Sequence, residues 1–387
     1  MKGKKEVSGK MLNRRSFLKN GALAAGAATM GAGLLTRGLA FAQAKSGNLP
    51  PGDAAILRFL AAAEILESDL WTQYAELGGI GNNPPIELDP GQSLNPYQIA
   101  LSNLDSDGPQ YIASNTLDEV SHATFLNAFL KSRGATQVSL EEFRTIPGSV
   151  APGSSGIKRL TNLMHLNVDT SWYVRYRSTT NPDFGATFPQ AITFSDVTAI
   201  PRDNGDFMGT PFPAGSGVTG NEHIQAIANT AAFHFGMIEQ GGSSLYAALS
   251  QKVTSREVLK ITLGIGGDEI AHFLEWVDFA GNGVQAPIAP FTDPTSNLTF
   301  PDFFANPPLG TLKLTQPSLI FPVPCEFIHK DLPFCAVIRP SDDRFAGARA
   351  AVKALTDDGL FTGQTNPQFF DVLNELAEAA DAAQRQE

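Results

Sequence analysis

Two stretches of this chain, Asp118-Glu119-Val120-Ser121-His122 and Asp268-Glu269-Ile270-Ala271-His272, repeat one pattern, in which a histidine follows a glutamate by three residues. On a helix these two positions lie on one face, about 5–6 Å apart at Cβ. A carboxylate and an imidazole on one helix can therefore bind a single metal ion or two neighbouring ions. One copy is weak evidence. Two copies, each preceded by an apolar helix with an inward glutamate, are typical of the ligand set of a di-metal four-helix bundle.

The other two carboxylates are expected upstream of each copy, on apolar helical segments. Glu64 lies in the segment before the first copy, and Glu239 lies in the segment before the second. Aligning these two glutamates also aligns Trp71 with Tyr246, each seven residues later and on the same helical face. Two helix pairs, each with a glutamate and a Glu-x-x-His motif, predict a bundle with pseudo-two-fold symmetry.

Glu67 is the rival ligand on the first helix. It would align with Gly242, which carries no carboxylate, so the symmetry favours Glu64. The predicted metal ligands are Glu64, Glu119, His122, Glu239, Glu269 and His272.

At these residues the chain resembles the ferritin-like superfamily, and specifically the bacterial ferritin-like domain proteins similar to plant desiccation-related proteins. The matching stretches are residues 63–71, 118–126 and 268–274. The resemblance covers about residues 52–280 and fits poorly between about 134 and 220. It implies a ferritin-like four-helix bundle with a di-iron or di-manganese site, but not iron storage, because activities within the superfamily are diverse. The chain departs from the usual pattern at Gly241-Gly242, where each glycine weakens a helix by roughly 1 kcal/mol.

The ligand types also limit the metal. Carboxylate oxygens and two imidazoles suit Fe or Mn better than copper or thiolate-preferring metals. The second ring nitrogen of a ligating histidine usually needs an acceptor, and Asp118 and Asp268 could supply it from a neighbouring helix. Three histidines have no partner motif and are interpreted as structural: His165, His223 and His329. His234 lies five residues before Glu239 and is not expected to share its helical face.

The N-terminal region reads as an export signal. The segment Asn13-Arg14-Arg15-Ser16-Phe17-Leu18-Lys19 is typical of a twin-arginine signal, and Ala40-Phe41-Ala42 gives an Ala-x-Ala cleavage site. We therefore expect residues 1–42 to be removed and the protein to be periplasmic or secreted. The alternative is a membrane anchor, but the apolar run is short and glycine-rich, whereas a spanning helix needs about 20 apolar residues. Twin-arginine export resembles a route that carries folded proteins. The bundle could therefore acquire metal in the cytoplasm before export.

The charge of the chain excludes some partners. Removing the eight basic residues and one acidic residue of positions 1–42 from the chain's 28 and 39 leaves 20 and 38, a net charge of −18. Such an excess of acid argues against nucleic acid or an anionic membrane surface as a partner. No integral membrane segment is expected in the mature chain. The expected small-molecule partner is an oxidant such as oxygen or peroxide, and the Phe/Pro-rich segment allows self-association into a homo-oligomer.

The two cysteines, Cys325 and Cys335, are separated by nine residues. In an exported protein this favours a disulfide. Two free thiols, or one reactive thiol, are the alternative.

The predicted organisation is mainly α-helical. Helices are expected at 52–77, 109–133, 221–250 and 255–280, with a loop over 78–108 and a long crossover insertion at 135–220 that contains a short helix at 156–176. The bundle would thus span 52–280. Residues 281–387 form a Pro/Phe-rich C-terminal extension packed on the bundle, with strands and loops up to about 340 and helices at 346–356 and 367–382.

Three functions remain open from the sequence. The first is an oxidoreductase that reduces oxygen or peroxide at a di-iron or di-manganese centre in stress protection. The second is a metal-free or structural stress-associated binding protein, similar to the desiccation-related family. The third, iron storage, is disfavoured because the large insertions would obstruct a shell. Whether the chain is an enzyme stays open at this point.

Overall fold

A computed structural model describes residues 48–80, 93–170, 193–281, 290–300, 322–323, 328–337 and 347–386. The described residues are mainly helical with little sheet. Their helices are α1 (Pro51–Leu77), α2 (Pro96–Leu104), α3 (Gly108–Ser132), α4 (Glu222–Ser250), α5 (Arg256–Gly281), α6 (Ala348–Asp357) and α7 (Gln368–Asp381).

The four long helices form two pairs, α1 with α3 and α4 with α5, and the two helices of each pair pack extensively against each other. Their bounds agree with the predicted helices to within two residues. Apolar side chains repeat along each helix and are fully buried, as at Leu57, Leu60 and Trp71 on α1. Burial of this kind, at about 25 cal/mol per Å² of apolar surface, is the main term that holds such helices together.

The two pairs are also joined at their ends. Asp53, in the first turn of α1, is buried and accepts hydrogen bonds from the backbone N–H groups of Thr254 (2.8 Å) and Ser255 (2.7 Å). These groups lie just before α5, where backbone donors have no partner within the helix. One carboxylate therefore ties the beginning of α1 to the turn between α4 and α5.

Helix α2 lies inside the stretch predicted as a loop, so that prediction was wrong for residues 96–104. Asn95 caps the helix: its side chain accepts from the Gln98 N–H (2.9 Å), and the Gln98 side chain accepts from the Asn95 N–H (2.8 Å). This reciprocal pair is a capping box. Gly78 allows α2 to approach, because a Cβ at this position would lie 2.7 Å from Leu101 Cδ1.

The described strands are short and form three two-stranded antiparallel ladders. These are β1 (Leu166–Asp169) with β2 (Thr193–Val197), β3 (Phe291–Thr292) with β4 (Thr299–Phe300), and β5 (Pro322–Val323) with β6 (Cys335–Ala336). The helix predicted over 156–176 is wrong where the structure describes it, since 156–165 is irregular and β1 follows. Residues 171–176 lie outside the described residues.

The C-terminal helices pack on the long ones. Helix α7 lies against α1 and also contacts α6. The Asp381 carboxylate accepts from the N–H groups of Ala348 (2.8 Å) and Arg349 (3.0 Å), so the end of α7 caps the beginning of α6. This places α6 and α7 over one side of α1 and α4, next to the site described below.

Candidate metal centre

The six predicted ligands converge between α1, α3, α4 and α5. All four glutamates are fully buried, and the two histidines are 8% and 3% exposed. At the same level, the Ser68 hydroxyl on α1 donates to the Glu119 carbonyl on α3 (3.0 Å), which fixes the spacing of these helices. The structure thus brings together, in the protein interior, residues that are up to 208 positions apart in sequence.

One half of the cluster centres on His122. Its Nδ1 lies 3.4 Å from Glu64 Oε2, 3.4 Å from Glu119 Oε2 and 3.7 Å from Glu269 Oε1. Its other nitrogen, Nε2, lies 3.2 Å from Asp268 on the opposite helix. Donor atoms of Glu64, Glu119, His122 and Glu269 all lie within 4.8 Å of one another, a spacing that could hold a metal ion.

The other half centres on His272. Its Nδ1 lies 2.9 Å from Glu119 Oε1 and 3.6 Å from Glu239 Oε2. Its Nε2 lies 3.5 Å from Asp118. Each histidine therefore directs Nδ1 into the cluster and Nε2 towards an aspartate of the opposite helix, as the sequence predicted for Asp118 and Asp268. Glu119 contacts both histidines and lies between the two halves.

Two aromatic side chains cross between the halves. The Trp71 indole N–H on α1 donates to Glu239 Oε1 on α4 (3.1 Å), and the Tyr246 hydroxyl on α4 donates to Glu64 Oε1 on α1. The sequence alignment of Trp71 with Tyr246 is thus matched by equivalent contacts. Each half supplies the hydrogen bond that orients the glutamate of the other half.

The remaining atoms that could coordinate a metal form no hydrogen bond. Besides His272 Nε2, which faces Asp118 at 3.5 Å, these buried atoms are Glu64 Oε2, both oxygens of Glu119 and Glu269, Glu239 Oε2, and Nδ1 of His122 and His272. They lie within ion-pair distance of each other but without hydrogen-bond geometry, so they point into a shared space. Buried polar atoms are normally satisfied, and each exception needs an explanation. Coordination of a cation would satisfy the whole set, so the residues present fit a metal centre.

The electrostatics agree with this fit. Burial raises the pKa of Glu119 to about 7 and that of Glu269 well above its usual range. Burial opposes protonation of His122, but contacts with Asp268, Glu119 and Glu64 raise its pKa to about 12. Without metal the cluster therefore retains protons to offset its carboxylates, because isolated charges are costly in a low-dielectric interior. Divalent cations could replace those protons.

Glu67 also belongs to this region, although the sequence symmetry argued against it. One of its oxygens lies within 4.8 Å of oxygens of Glu239 and Glu269, and burial raises its pKa well above the usual range. Opposite it, Gly242 leaves space for the cluster: a Cβ there would lie 2.2 Å from Glu269 Oε2. Glycine at 242 was the signal in the sequence, since only a residue without a side chain permits this approach.

The other histidines lie outside the cluster. His234 Nε2 pairs with Asp358 (2.8 Å) and joins α4 to the segment after α6, while His223 lies between Asp206 (3.1 Å) and Asp293 (3.3 Å). His165 and His329 are exposed and contact Asp196 and Asp331. The structural role expected of His165, His223 and His329 stays a prediction.

Two predictions fall on residues that the structure does not describe. The export signal at 1–42 lies outside the described residues and stays a prediction. Cys335 is exposed, while Cys325 lies outside the described residues, so the pairing of these two cysteines is untested.

Among the described residues, no helix is both long and apolar enough to cross a membrane. Comparisons with known protein families, with curated proteins and with solved structures give no match to this chain. The site is accordingly defined by its own geometry, as a buried carboxylate–histidine cluster able to hold metal.

Proposed function

We propose that the chain is a ferritin-like four-helix bundle that binds two Fe or Mn ions and reduces oxygen or peroxide. The observation that carries the proposal is the set of buried oxygens and imidazole nitrogens that face one another without hydrogen-bond partners. A structural core would satisfy such atoms with each other or replace them by apolar groups, because an unsatisfied buried group costs about 1–3 kcal/mol.

The ligands divide between two ion positions. Glu64 and His122 would hold one ion, and Glu239 and His272 would hold the other. Glu119 and Glu269 would serve both ion positions, because Glu119 contacts both histidines and Glu269 approaches ligand groups of both halves. The four carboxylates of this set would nearly neutralise two divalent ions. Oxygen and imidazole ligands in this ratio favour Fe or Mn.

The chemistry follows from that ligand set. Two such ions, when bound, supply reversible one-electron oxidation, and anionic ligands stabilise the higher oxidation state. The protein contributes a site from which bulk water is largely excluded, with glutamates oriented by Trp71 and Tyr246. Asp268 lies 3.2 Å from Nε2 of His122 and Asp118 lies 3.5 Å from Nε2 of His272, and both imidazoles direct Nδ1 inwards. In the periplasm or outside the cell, reduction of oxygen or peroxide would protect against oxidative stress.

Metal analysis of the purified full chain tests this proposal. We expect about two Fe or Mn ions per chain, the stoichiometry of a di-metal bundle, and loss of both in Glu119→Gln/Glu269→Gln. The matched control is Glu375→Gln/Glu378→Gln on α7, where both glutamates are exposed and the metal content should not change. Peroxide consumption by loaded protein then separates catalase-like turnover from reduction that requires a donor.

The glutamine variants also provide a folding test. Because amides remove buried negative charge and keep the shape of the side chain, the metal-free double variant should unfold at a higher temperature than the metal-free wild type. Wild-type protein that binds no metal when offered Fe or Mn, yet unfolds cooperatively, would contradict the proposal. That result would leave the metal-free, stress-associated binding protein as the better interpretation.

A further inference from the structure

A cavity of about 580 Å³ lies directly beside the carboxylate–histidine cluster. We propose that it binds a neutral, largely apolar small organic molecule and holds that molecule next to the metal centre. The inference deepens the proposed function and rests on it for any reaction, but the binding itself is independent of metal.

The walls of the cavity are mainly apolar. Helix α1 contributes Phe59 and Leu66, and α4 contributes Met237. The outer wall comes from the C-terminal helices, through Leu355 on α6 and Leu373 on α7. The C-terminal extension therefore has a definite role in the fold, because it covers part of one side of α1 and α4 and leaves a partly open cavity between them.

The inner end of the cavity reaches the cluster. Glu67 and Gly242 both line it, and the Gly242 backbone is also the surface against which the Glu269 carboxylate packs. A Cβ at position 242 would lie 2.2 Å from Glu269 Oε2, so no side chain can separate the cavity from the cluster here. The glycines that depart from the usual helix pattern thus lie where the two spaces meet.

The size of the cavity argues for an organic occupant. Pockets for small organic molecules typically measure about 300–1,000 Å³ and are lined by apolar side chains with a few polar groups. Oxygen or peroxide would fill only a small part of this volume. A separate molecule beside the cluster is therefore the better match to the space.

The charges around the cavity select against anions. Its described lining includes four acidic residues, Glu67 at the inner end together with Asp169, Asp357 and Asp358. Lys353 is the basic residue among its described lining residues, and it pairs with Asp357. Because Lys353 is shared with Asp357, an anion would meet carboxyl groups and no unpaired cation among the described lining residues, so a fatty acid or a phosphorylated compound is disfavoured. A neutral molecule, with no more than a hydroxyl at the Glu67 end, fits best.

Two fluorescent probes of similar ring structure test the inference on the metal-free full chain. N-phenyl-1-naphthylamine is neutral, and 8-anilinonaphthalene-1-sulfonate is its anionic counterpart. We expect one neutral probe to bind per chain with blue-shifted emission, and the anionic probe to bind at least about tenfold more weakly. Equal or tighter binding of the sulfonate would overturn the proposed ligand class.

Cavity-filling variants locate the binding. Ala351→Trp and Ala354→Phe on α6 place rings in the cavity and should each weaken the neutral probe at least about tenfold. Ala379→Trp, at an exposed position of α7, is the matched control and should bind like the wild type. Unfolding temperatures identify a variant that fails to fold, in which case the other variant decides. Unchanged probe binding in a folded cavity variant would refute the site.

A paramagnetic ion tests the position of the probe relative to the cluster. In protein loaded with Mn²⁺, proton resonances of the bound neutral probe should broaden strongly, and this broadening should disappear in Glu119→Gln/Glu269→Gln. Loaded protein that binds the probe without broadening would overturn the adjacency. If neither Mn²⁺ nor Fe²⁺ binds while the probe does, the proposed function fails and the organic site stands.

Discussion

The two halves of the cluster are nearly equivalent in one respect and different in another. In both halves a histidine directs Nδ1 inwards and faces an aspartate of the other half with Nε2, and an aromatic side chain crosses to the opposite glutamate. The equivalence ends where α1 carries Glu67 and α4 carries Gly242. The cavity lies at this point of difference.

This comparison separates two tasks. The features shared by both halves orient the atoms that could coordinate metal, which is what the binding of two metal ions requires. The feature that differs opens one side of the cluster and places an extra carboxylate there. Experiments that treat the halves alike should therefore give equal results, whereas changes at 67 or 242 should act where the cluster meets the cavity, next to Glu269.

The largest effect is expected from the histidines. Since each belongs to one ion position, His122→Ala and His272→Ala should each reduce the bound metal from about two ions to about one per chain. Metal analysis after dialysis measures this. Loss of both ions in either single variant would show that the positions are not independent and would weaken the two-half description.

Gly242→Ala should break the asymmetric side. The new methyl group would meet Glu269 Oε2, and overpacking of this kind costs about 1–3 kcal/mol of unfolding free energy. Gly267→Ala on α5 is the control, because a Cβ there meets no atom within 4 Å. It should stabilise the helix by about 0.5–1 kcal/mol. Denaturant unfolding of both proteins measures the contrast, and equal effects would contradict the close approach of Glu269.

Substitution of the aspartates tests the equivalence of the halves through a smaller effect, a change in metal affinity. Asp268→Asn and Asp118→Asn each weaken the acceptor for a histidine, and loss of such partners typically lowers metal affinity by about 10–100-fold. We expect similar losses in both, measured by competition with a chelator. Asp371→Asn, at an exposed position of α7, should leave the affinity unchanged. A loss in only one of the two would mean that the halves are not equivalent.

The smallest effect lies outside both halves, at His223, where Asp206, Asp293 and Arg202 meet. Hydrogen bonds with Asp206 and Asp293 raise the pKa of His223 to about 9. Because the folded pKa exceeds the unfolded value near 6.5, this stabilisation is complete below about pH 6.5 and is lost as the pH rises through about 9.

The expected loss of unfolding free energy between pH 6.5 and 9.5 is on the order of 2 kcal/mol, from the size of that pKa change. His223→Gln should remove most of this pH dependence without changing metal content. The measurement is denaturant unfolding across that pH range. An unchanged profile in the variant would assign the dependence to other groups.

The helical part of the fold and most of the site could be predicted because their signals are local. Glu119 and His122 are three residues apart on one helix, and apolar periodicity marks the long helices. Helix α2 was not predicted because the residues before it are rich in Gly, Pro and Asn, which favours a loop. The Asn95 and Gln98 capping box was nevertheless visible in the sequence. Strand β1 was missed because it depends on β2, whose paired residues are remote in sequence.

The cavity and the place of Glu67 could not be predicted for a related reason. Symmetry between the halves ranked Glu67 below Glu64, yet its position is set by packing against α4, where Gly242 leaves room. Enclosure by Leu355 and Leu373 depends on where α6 and α7 pack, and no local pattern encodes that docking. What the sequence did contain was the anomaly itself, two glycines in the middle of a buried helix.

The crossed contacts also bear on how the chain folds during synthesis. Trp71 and Glu239 are 168 positions apart, and Tyr246 and Glu64 are 182 apart. Contacts over such separations form slowly compared with helices. A growing chain therefore carries Glu64, Glu119 and His122 well before α4 and α5 emerge from the ribosome. Because α5 carries both Glu269 and His272, neither of the proposed ion positions has all its ligands until α5 has docked, and a chain truncated before α5 should retain neither ion.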